Sequence, residues 1–172
     1  VTTDLNVNSN TTIDTGQCLR NVSISNQRTL TLSDYSNPYY IKTLNFQANF
    51  AKFDLGNVPP GEKVTIFVEQ ISNNHINGNQ FYNASNAPHQ MEINYTGTNT
   101  ITLNGTAQIN MALTAPNASV TTNGNFIMNG GIFAKSLTVS GNARINYDEG
   151  LGSVPILTDM NSALKKASQR YR

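Results

Sequence analysis

Ile101-Thr-Leu-Asn-Gly-Thr-Ala-Gln-Ile-Asn110, Val120-Thr-Thr-Asn-Gly-Asn-Phe-Ile-Met-Asn129 and Leu137-Thr-Val-Ser-Gly-Asn-Ala-Arg-Ile-Asn146 align without a gap. Their glycines, Gly105, Gly124 and Gly141, recur at nearly even intervals. Between the copies sit matching pieces, Leu113-Thr-Ala115 and Ile132-Phe-Ala134. A weaker fourth copy, Ile76-Asn-Gly-Asn-Gln-Phe-Tyr-Asn83, takes Met91-Glu-Ile-Asn-Tyr95 as its middle piece and carries an insertion around Ala84–His89. Apolar residues alternate within each copy, the mark of a strand with one buried face. The alternation predicts that Ile101, Leu103, Ile109, Phe126, Met128, Leu137, Val139 and Ile145 point inward. Three short strands per copy, with glycine between the first two, make one rung of a solenoid. Such a rung can bury its inner face only against its neighbours, which is why the pattern must repeat.

The expected fold is therefore all-β: a right-handed parallel β-solenoid (β-helix) with rungs of about 17–19 residues and a short C-terminal capping α-helix. The competing fold is an antiparallel β-sandwich, because Asn104-Gly105 and Asn123-Gly124 between alternating runs also form the strongest hairpin signal. The solenoid is preferred because the similarity extends through the third strand, which hairpins do not require. Asn83, Asn110, Asn129 and Asn146 occupy equivalent positions. Stacked, they would form a ladder, each amide donating to the next side-chain carbonyl at a corner where asparagine tolerates left-handed backbone.

Outside residues 56–152, the repeat region, the pattern changes. Residues 1–55 are strand-like but irregular, as in Leu5-Asn-Val, Leu30-Thr-Leu32, Leu44-Asn-Phe46 and Phe50-Ala-Lys-Phe53. They are expected to pack on the solenoid or cap it. Val58-Pro-Pro-Gly61 reads as a turn before a clean alternating strand, Val64-Thr-Ile-Phe-Val68. In residues 153–172, Leu157, Met160, Leu164 and Ala167 recur at helical spacing, with Asp159 early and Lys165, Lys166 and Arg170 late, as the helix dipole favours. A capping helix there would cover the last rung, and the three parts make one domain.

Composition narrows the function classes. Charged residues are 12% of the chain and the net charge is +1, which gives no general pull towards nucleic acid or anionic membrane. Asparagine is the commonest residue, and with Ser, Thr and Gly it disfavours long helices and suits short strands joined by tight turns. Cys18 is the lone cysteine, so no disulfide framework exists within the chain; it reads as a small buried hydrophobe. No apolar run reaches the roughly 18 residues of a membrane helix, so no membrane insertion by this segment is expected. The start at Val1 suggests a processed or excised chain, with any export signal upstream.

Candidate chemistry is sparse. Asp148-Glu149 is the adjacent acidic pair, read as a solvated turn or helix cap and not as an acid/base pair. His75 and His89 lie in the insertion region with no placed carboxylate, so no metal site is assigned. No triad order, phosphate loop or calcium loop appears, and neither a cofactor nor a catalytic residue is expected. Thr102, Thr121 and Thr138 supply one outward threonine per rung, too few for a paired Thr-x-Thr ice-binding face. Polysaccharide adhesion needs exposed aromatic rings, and the candidates are Tyr35, Tyr39, Tyr40, Phe81, Tyr82 and Tyr95, with Tyr82 aligned to inward Ile109. Candidate nucleic-acid contacts are Lys165, Lys166, Arg170 and Arg172, which equally suit a helix C-terminus.

The run Gly131-Ile-Phe-Ala-Lys-Ser-Leu-Thr-Val-Ser-Gly-Asn-Ala-Arg-Ile-Asn-Tyr-Asp-Glu-Gly150, with Ala115-Pro-Asn-Ala118 and Ile76-Asn-Gly-Asn79, resembles the C-terminal β-solenoid domain of PilX-type, pilin-like bacterial surface proteins. The resemblance covers roughly residues 55–152. It implies an exported protein at the bacterial cell surface, associated with type IV pili, whose partners are pilus or cell-surface proteins. The expected function is a non-enzymatic adhesive or structural module that attaches to a surface or polysaccharide. A similar solenoid in a competence-associated pilin makes a pilus-tip DNA-binding module for DNA uptake the first alternative. A β-helix enzyme that degrades polysaccharide is the second.

Overall fold

A computed structural model describes residues 3–106 and 108–153. They form fourteen strands: β1 (Thr3–Val7), β2 (Thr11–Ile13), β3 (Cys18–Ile24), β4 (Thr29–Leu32), β5 (Tyr39–Phe46), β6 (Lys52–Asp54), β7 (Val64–Ile71), β8 (His75–Asn77), β9 (Phe81–Tyr82), β10 (Met91–Tyr95), β11 (Ile101–Asn104), β12 (Gln108–Thr122), β13 (Ile127–Val139) and β14 (Arg144–Tyr147). Among the described residues every strand pairing is parallel. Asn-Gly therefore turns a corner here and does not close a hairpin, which removes the sandwich. The chain is a β-solenoid of about seven turns.

Inward columns fill the interior, and three show how they run. One runs Tyr39, Ile66, Ile93, Leu113, Ile132; a second runs Ile76, Leu103, Thr122, Val139; a third runs Leu30, Phe53, Phe81. Strands such as Val64–Ile71 alternate buried with partly exposed residues, as the pleat requires. Ile101, Leu103, Ile109, Phe126 and Met128 are fully buried. Leu137 and Val139 stand in register above Val120 and Thr122 yet remain 43% and 52% exposed, and Ile145 is partly buried. Among the described residues no further rung lies over that end. Cys18, expected in the core, opens β3 and is only partly buried.

Residues 3–54, within the segment 1–55 expected to pack on the solenoid or cap it, carry its ladders. Leu5 pairs with Val22, Val22 with Leu44 and Leu44 with Ile71. The turn lengthens from each of these pairs to the next, so the period is hidden although the stacking is continuous. The capping helix expected over 153–172 lies outside the described residues, apart from Ser153 at the end of a 3₁₀ turn, Glu149–Ser153.

Corners are held by backbone geometry and amide columns. Gly124 and Gly141 have φ of +82° and +73°, and a Cβ on Gly141 would sit 2.6 Å from the Gly124 carbonyl oxygen. Glycine is thus required twice over, for left-handed backbone and for the close approach of the rung below. At an earlier corner, Asp34 accepts hydrogen bonds from the amides of Gly16, Ser36 and Asn37. Those donors, Gly16 foremost, hold its carboxyl at about 2.

The insertion after β9 forms a strap along one corner. Asn83 donates to the carbonyls of Ala87 (2.8 Å) and Asn110 (3.3 Å). Pro88 lies beside Gly130. His89 reaches Asp148 through its backbone amide (3.3 Å) and its ring Nδ1 (3.1 Å). The strap therefore ties the rung of β9 to those of β12, β13 and β14.

Candidate adhesive surface

The outer residues of a parallel ladder lie in columns about 4.8 Å apart per rung. On the face built by β5, β7, β10, β12 and β13, one outer column runs Tyr40, Phe67, Asn94, Thr114, Phe133. Its position follows from local sequence: Val64, Ile66 and Val68 point inward, so Thr65 and Phe67 must point outward. The Tyr40 and Phe67 rings stack with centroids 5.0 Å apart and planes 10° from parallel. Tyr40 is buried under its neighbours, Phe67 is half-buried, and Phe133 is 50% exposed.

The adjacent outer column runs Thr65, Glu92, Ala112, Gly131. The Glu92 carboxylate accepts from Lys63 Nζ (2.7 Å) and Thr65 Oγ1 (3.3 Å) on Oε2, and from Asn94 Nδ2 (3.1 Å) on Oε1. Lys63 and Glu92 compensate each other's charge, and both stay accessible, whereas Asn94 is largely covered. Ala112 and Thr114, on the rung between those of Glu92 and Phe133, carry short side chains. Phe67 and Phe133 on one column, with a fixed carboxylate on the column beside it, can pack against an apolar face and hydrogen-bond to hydroxyls.

The aromatic residues singled out from the sequence are not brought together as a platform. Tyr39, Phe81 and Tyr95 are core residues, and Tyr40 is covered. The Tyr39 hydroxyl donates to the Ile13 carbonyl (2.9 Å), and burial raises the pKa of both Tyr39 and Tyr95. Tyr35 is half-buried, its hydroxyl donating to the Asn57 carbonyl (3.2 Å). Tyr82 is 49% exposed, with Lys52 Nζ 5.5 Å from its ring centroid. The expected equivalence of Tyr82 with inward Ile109 is one residue off, because Phe81 pairs with Phe53 and takes the inward place. Sequence reasoning misses Phe67, Phe133, Lys63 and Glu92. The signal for Phe67 is there, as an aromatic residue at an outward position of a clean alternating strand.

The asparagine column is bonded from Asn146 to Asn129 (2.8 Å) and from Asn129 to Asn110 (2.8 Å). Asn110 then donates to Asn86 (3.0 Å) and not to Asn83, whose side-chain oxygen accepts from the amide and hydroxyl of Ser85. His89 and Asp148 are brought together from distant parts of the chain, while Glu149 is exposed in the following turn. Burial opposes ionisation of Asp148, but the Gly150 amide and His89 outweigh it and lower its pKa. Among the described residues no cluster of three His, Cys, Asp or Glu side chains could hold a metal, and no helix is long and apolar enough to cross a membrane. Lys165, Lys166, Arg170 and Arg172 lie outside the described residues. Of the described cations, Arg20 pairs with Asp4 through two contacts (2.9 and 2.6 Å) and Lys63 with Glu92.

No curated protein and no solved structure matches the chain. A family model described as "Putative Ice-binding-like adhesive domain" matches residues 2–147, which is most of the sequence and nearly all of the solenoid. The chain belongs to this family of ice-binding-like adhesive domains.

Proposed function

We propose that the chain is an extracellular, non-enzymatic adhesive module of a bacterial surface protein associated with type IV pili, attaching its bearer to a surface or polysaccharide. The observation that carries this reading is the adhesive family match over a continuous ladder of about seven turns, which holds outward side chains in fixed columns. A rigid, preorganised face loses little conformational entropy when it meets a repetitive surface. Pilus association rests on the sequence resemblance over residues 55–152. Little favours a DNA-binding module, since charged residues are 12% of the chain and the net charge is +1.

The test is a binding screen of the purified chain against immobilised polysaccharides and duplex DNA over a salt titration, with a reducing-end assay in parallel. Retention on polysaccharide that survives high salt, without release of reducing ends, is expected. Sugar release abolished by Asp148→Ala or Glu149→Ala would establish the enzyme reading instead. Binding to DNA alone that collapses as salt rises would establish the uptake reading. Recovery of the full-length protein with sheared surface filaments tests the pilus association.

A further inference from the structure

We propose that Phe67, Glu92, Thr114 and Phe133, on the outer face of β7, β10, β12 and β13, form a binding site for an uncharged, linear polysaccharide chain. This rests on the adhesive reading above and goes further by naming the site and the chemical class of its ligand.

The rings come first. A pyranose presents faces lined by C–H groups, which pack on aromatic rings as other apolar surfaces do. Phe67 stacks near-parallel on Tyr40 of the neighbouring rung at 5.0 Å, so its ring is held in place before any ligand arrives. Phe133 stands on the same column three rungs away, a separation of about 14 Å. A linear glycan laid along the solenoid axis advances by about one sugar per rung, and so can cover both rings with sugars between them.

The polar groups between the rings match the edges of such a chain. Asn94, itself only 7% exposed, donates to Glu92 at 3.1 Å and steadies one carboxylate oxygen. Lys63 and Thr65 hold the other. A carboxylate has about four lone-pair sites, and the three contacts here leave room for a donated sugar hydroxyl. The Thr114 hydroxyl lies between Asn94 and Phe133 on the ring column. Glu92 is already ordered by its neighbours, which lowers the entropy lost on binding.

Charge in the middle of the site favours this class, with Lys135, exposed two residues along β13 from Phe133, as the cation at its edge. Lys63 and Glu92 form a 2.7 Å pair, so the middle of the site offers neither a free cation for a uronate or phosphate nor a free anion for an amino sugar. Binding by ring packing and hydroxyl hydrogen bonds is weakly screened, and its affinity is expected to hold as ionic strength rises.

The experiment measures binding of the full 172-residue chain to soluble xyloglucan, galactomannan and hydroxyethylcellulose, with alginate and polygalacturonate as anionic probes, by affinity electrophoresis at low and high salt. Phe67→Ala and Phe133→Ala should each weaken binding to a neutral polymer about tenfold, a hot-spot loss of roughly 1.4 kcal/mol. Phe50→Ala, which removes an equally exposed ring from the loop between β5 and β6, should leave binding unchanged. Phe133 is half exposed, so its variant should keep the wild-type melting temperature even if Phe67→Ala, which breaks the stack, does not. Unchanged neutral-glycan binding by Phe133→Ala overturns this site and leaves the adhesive reading standing. Binding confined to the anionic polymers, and lost with salt, overturns the uncharged class. Failure to bind any polysaccharide overturns both the site and the polysaccharide part of the proposed function.

Discussion

Phe126→Ala probes the interior where the packing is least able to recover. Phe126 is fully buried at the start of the rung that leads into β13, immediately after the Gly124 corner. Its carbonyl accepts the amide of Arg144 from the rung above (2.8 Å), and the residue before Arg144, Ala143, is only a methyl group packed against the core. The side chain over it is a single methyl group, too short to reach into the space left by the ring. The backbone cannot close in either, because the ladder of β12, β13 and β14 fixes the rung spacing. Most of the cavity therefore persists, and the cost should fall in the upper part of the usual range for Phe→Ala, about 3–5 kcal/mol. For a chain of this size that is a fall in melting temperature of roughly 10 °C, since each kcal/mol moves it by about 2–4 °C. Thermal and urea unfolding followed by circular dichroism give the loss directly. Amide exchange over residues 108–139 shows whether it is confined to neighbouring rungs, as a solenoid's nearest-neighbour stability requires. Phe133→Ala in β13 is the matched control, with an expected loss under about 1 kcal/mol for a half-exposed ring. A loss under about 1 kcal/mol for Phe126→Ala itself would refute the assigned register.

Three further outcomes follow from the corners. Gly141→Ala should destabilise by more than about 1–2 kcal/mol, through both positive φ and a Cβ 2.6 Å from the Gly124 carbonyl. Gly61→Ala, at φ +84° but with nothing within 4 Å, should cost the conformational part alone, and the two melts separate the contributions. Asn129→Ala removes two 2.8 Å links of the amide column and should cost about 1–2 kcal/mol, while Asn146→Ala, with one exposed link, should cost less in the same urea titration. Asp34 has its pKa lowered in the folded state to about 2, so its stabilising effect is complete above the ordinary carboxylate range and is lost as pH falls from about 3.8 to 2. Melting curves of wild type and Asp34→Asn should differ at neutral pH and converge near pH 2; a constant difference would show that the carboxylate charge is not what the turn uses.

The stretch from Ile101 to Asn146 is readable as solenoid because its turns are short and nearly equal, so that counting along the chain brings like residues into register. From Thr3 to Tyr95 the same ladders exist, but longer and unequal turns intervene, as between Phe53 and Phe81. Alternation shows which way a residue faces, and it does so for Val64-Thr-Ile-Phe-Val68. It does not show which residue of the next turn stands beside it. That depends on loop lengths, which is why the sequence does not connect Phe67 to Tyr40 or Phe133, and why Asn86 replaces Asn83 at the end of the amide column. Sequence proximity suggests Tyr39 with Tyr40 and Phe81 with Tyr82 as clusters. Adjacent residues of a strand point to opposite faces, so each of those pairs is divided between core and outer side.

The strap from Asn83 to Gln90 bears on how the domain meets mechanical load. In a parallel ladder the interstrand hydrogen bonds lie along the solenoid axis, so tension between the chain ends strains one rung's bonds at a time and opens the stack like a zip. The turn holding β14 is the vulnerable one, because among the described residues β14 pairs along β13 only from Arg144 to Tyr147. His89, anchored near the base of β10, grips Asp148 at the far side of that turn. A pull that would unroll the last turn must therefore also break a contact rooted several rungs below. The strap acts as a stitch against fraying of that turn, a gain for an adhesive domain under load.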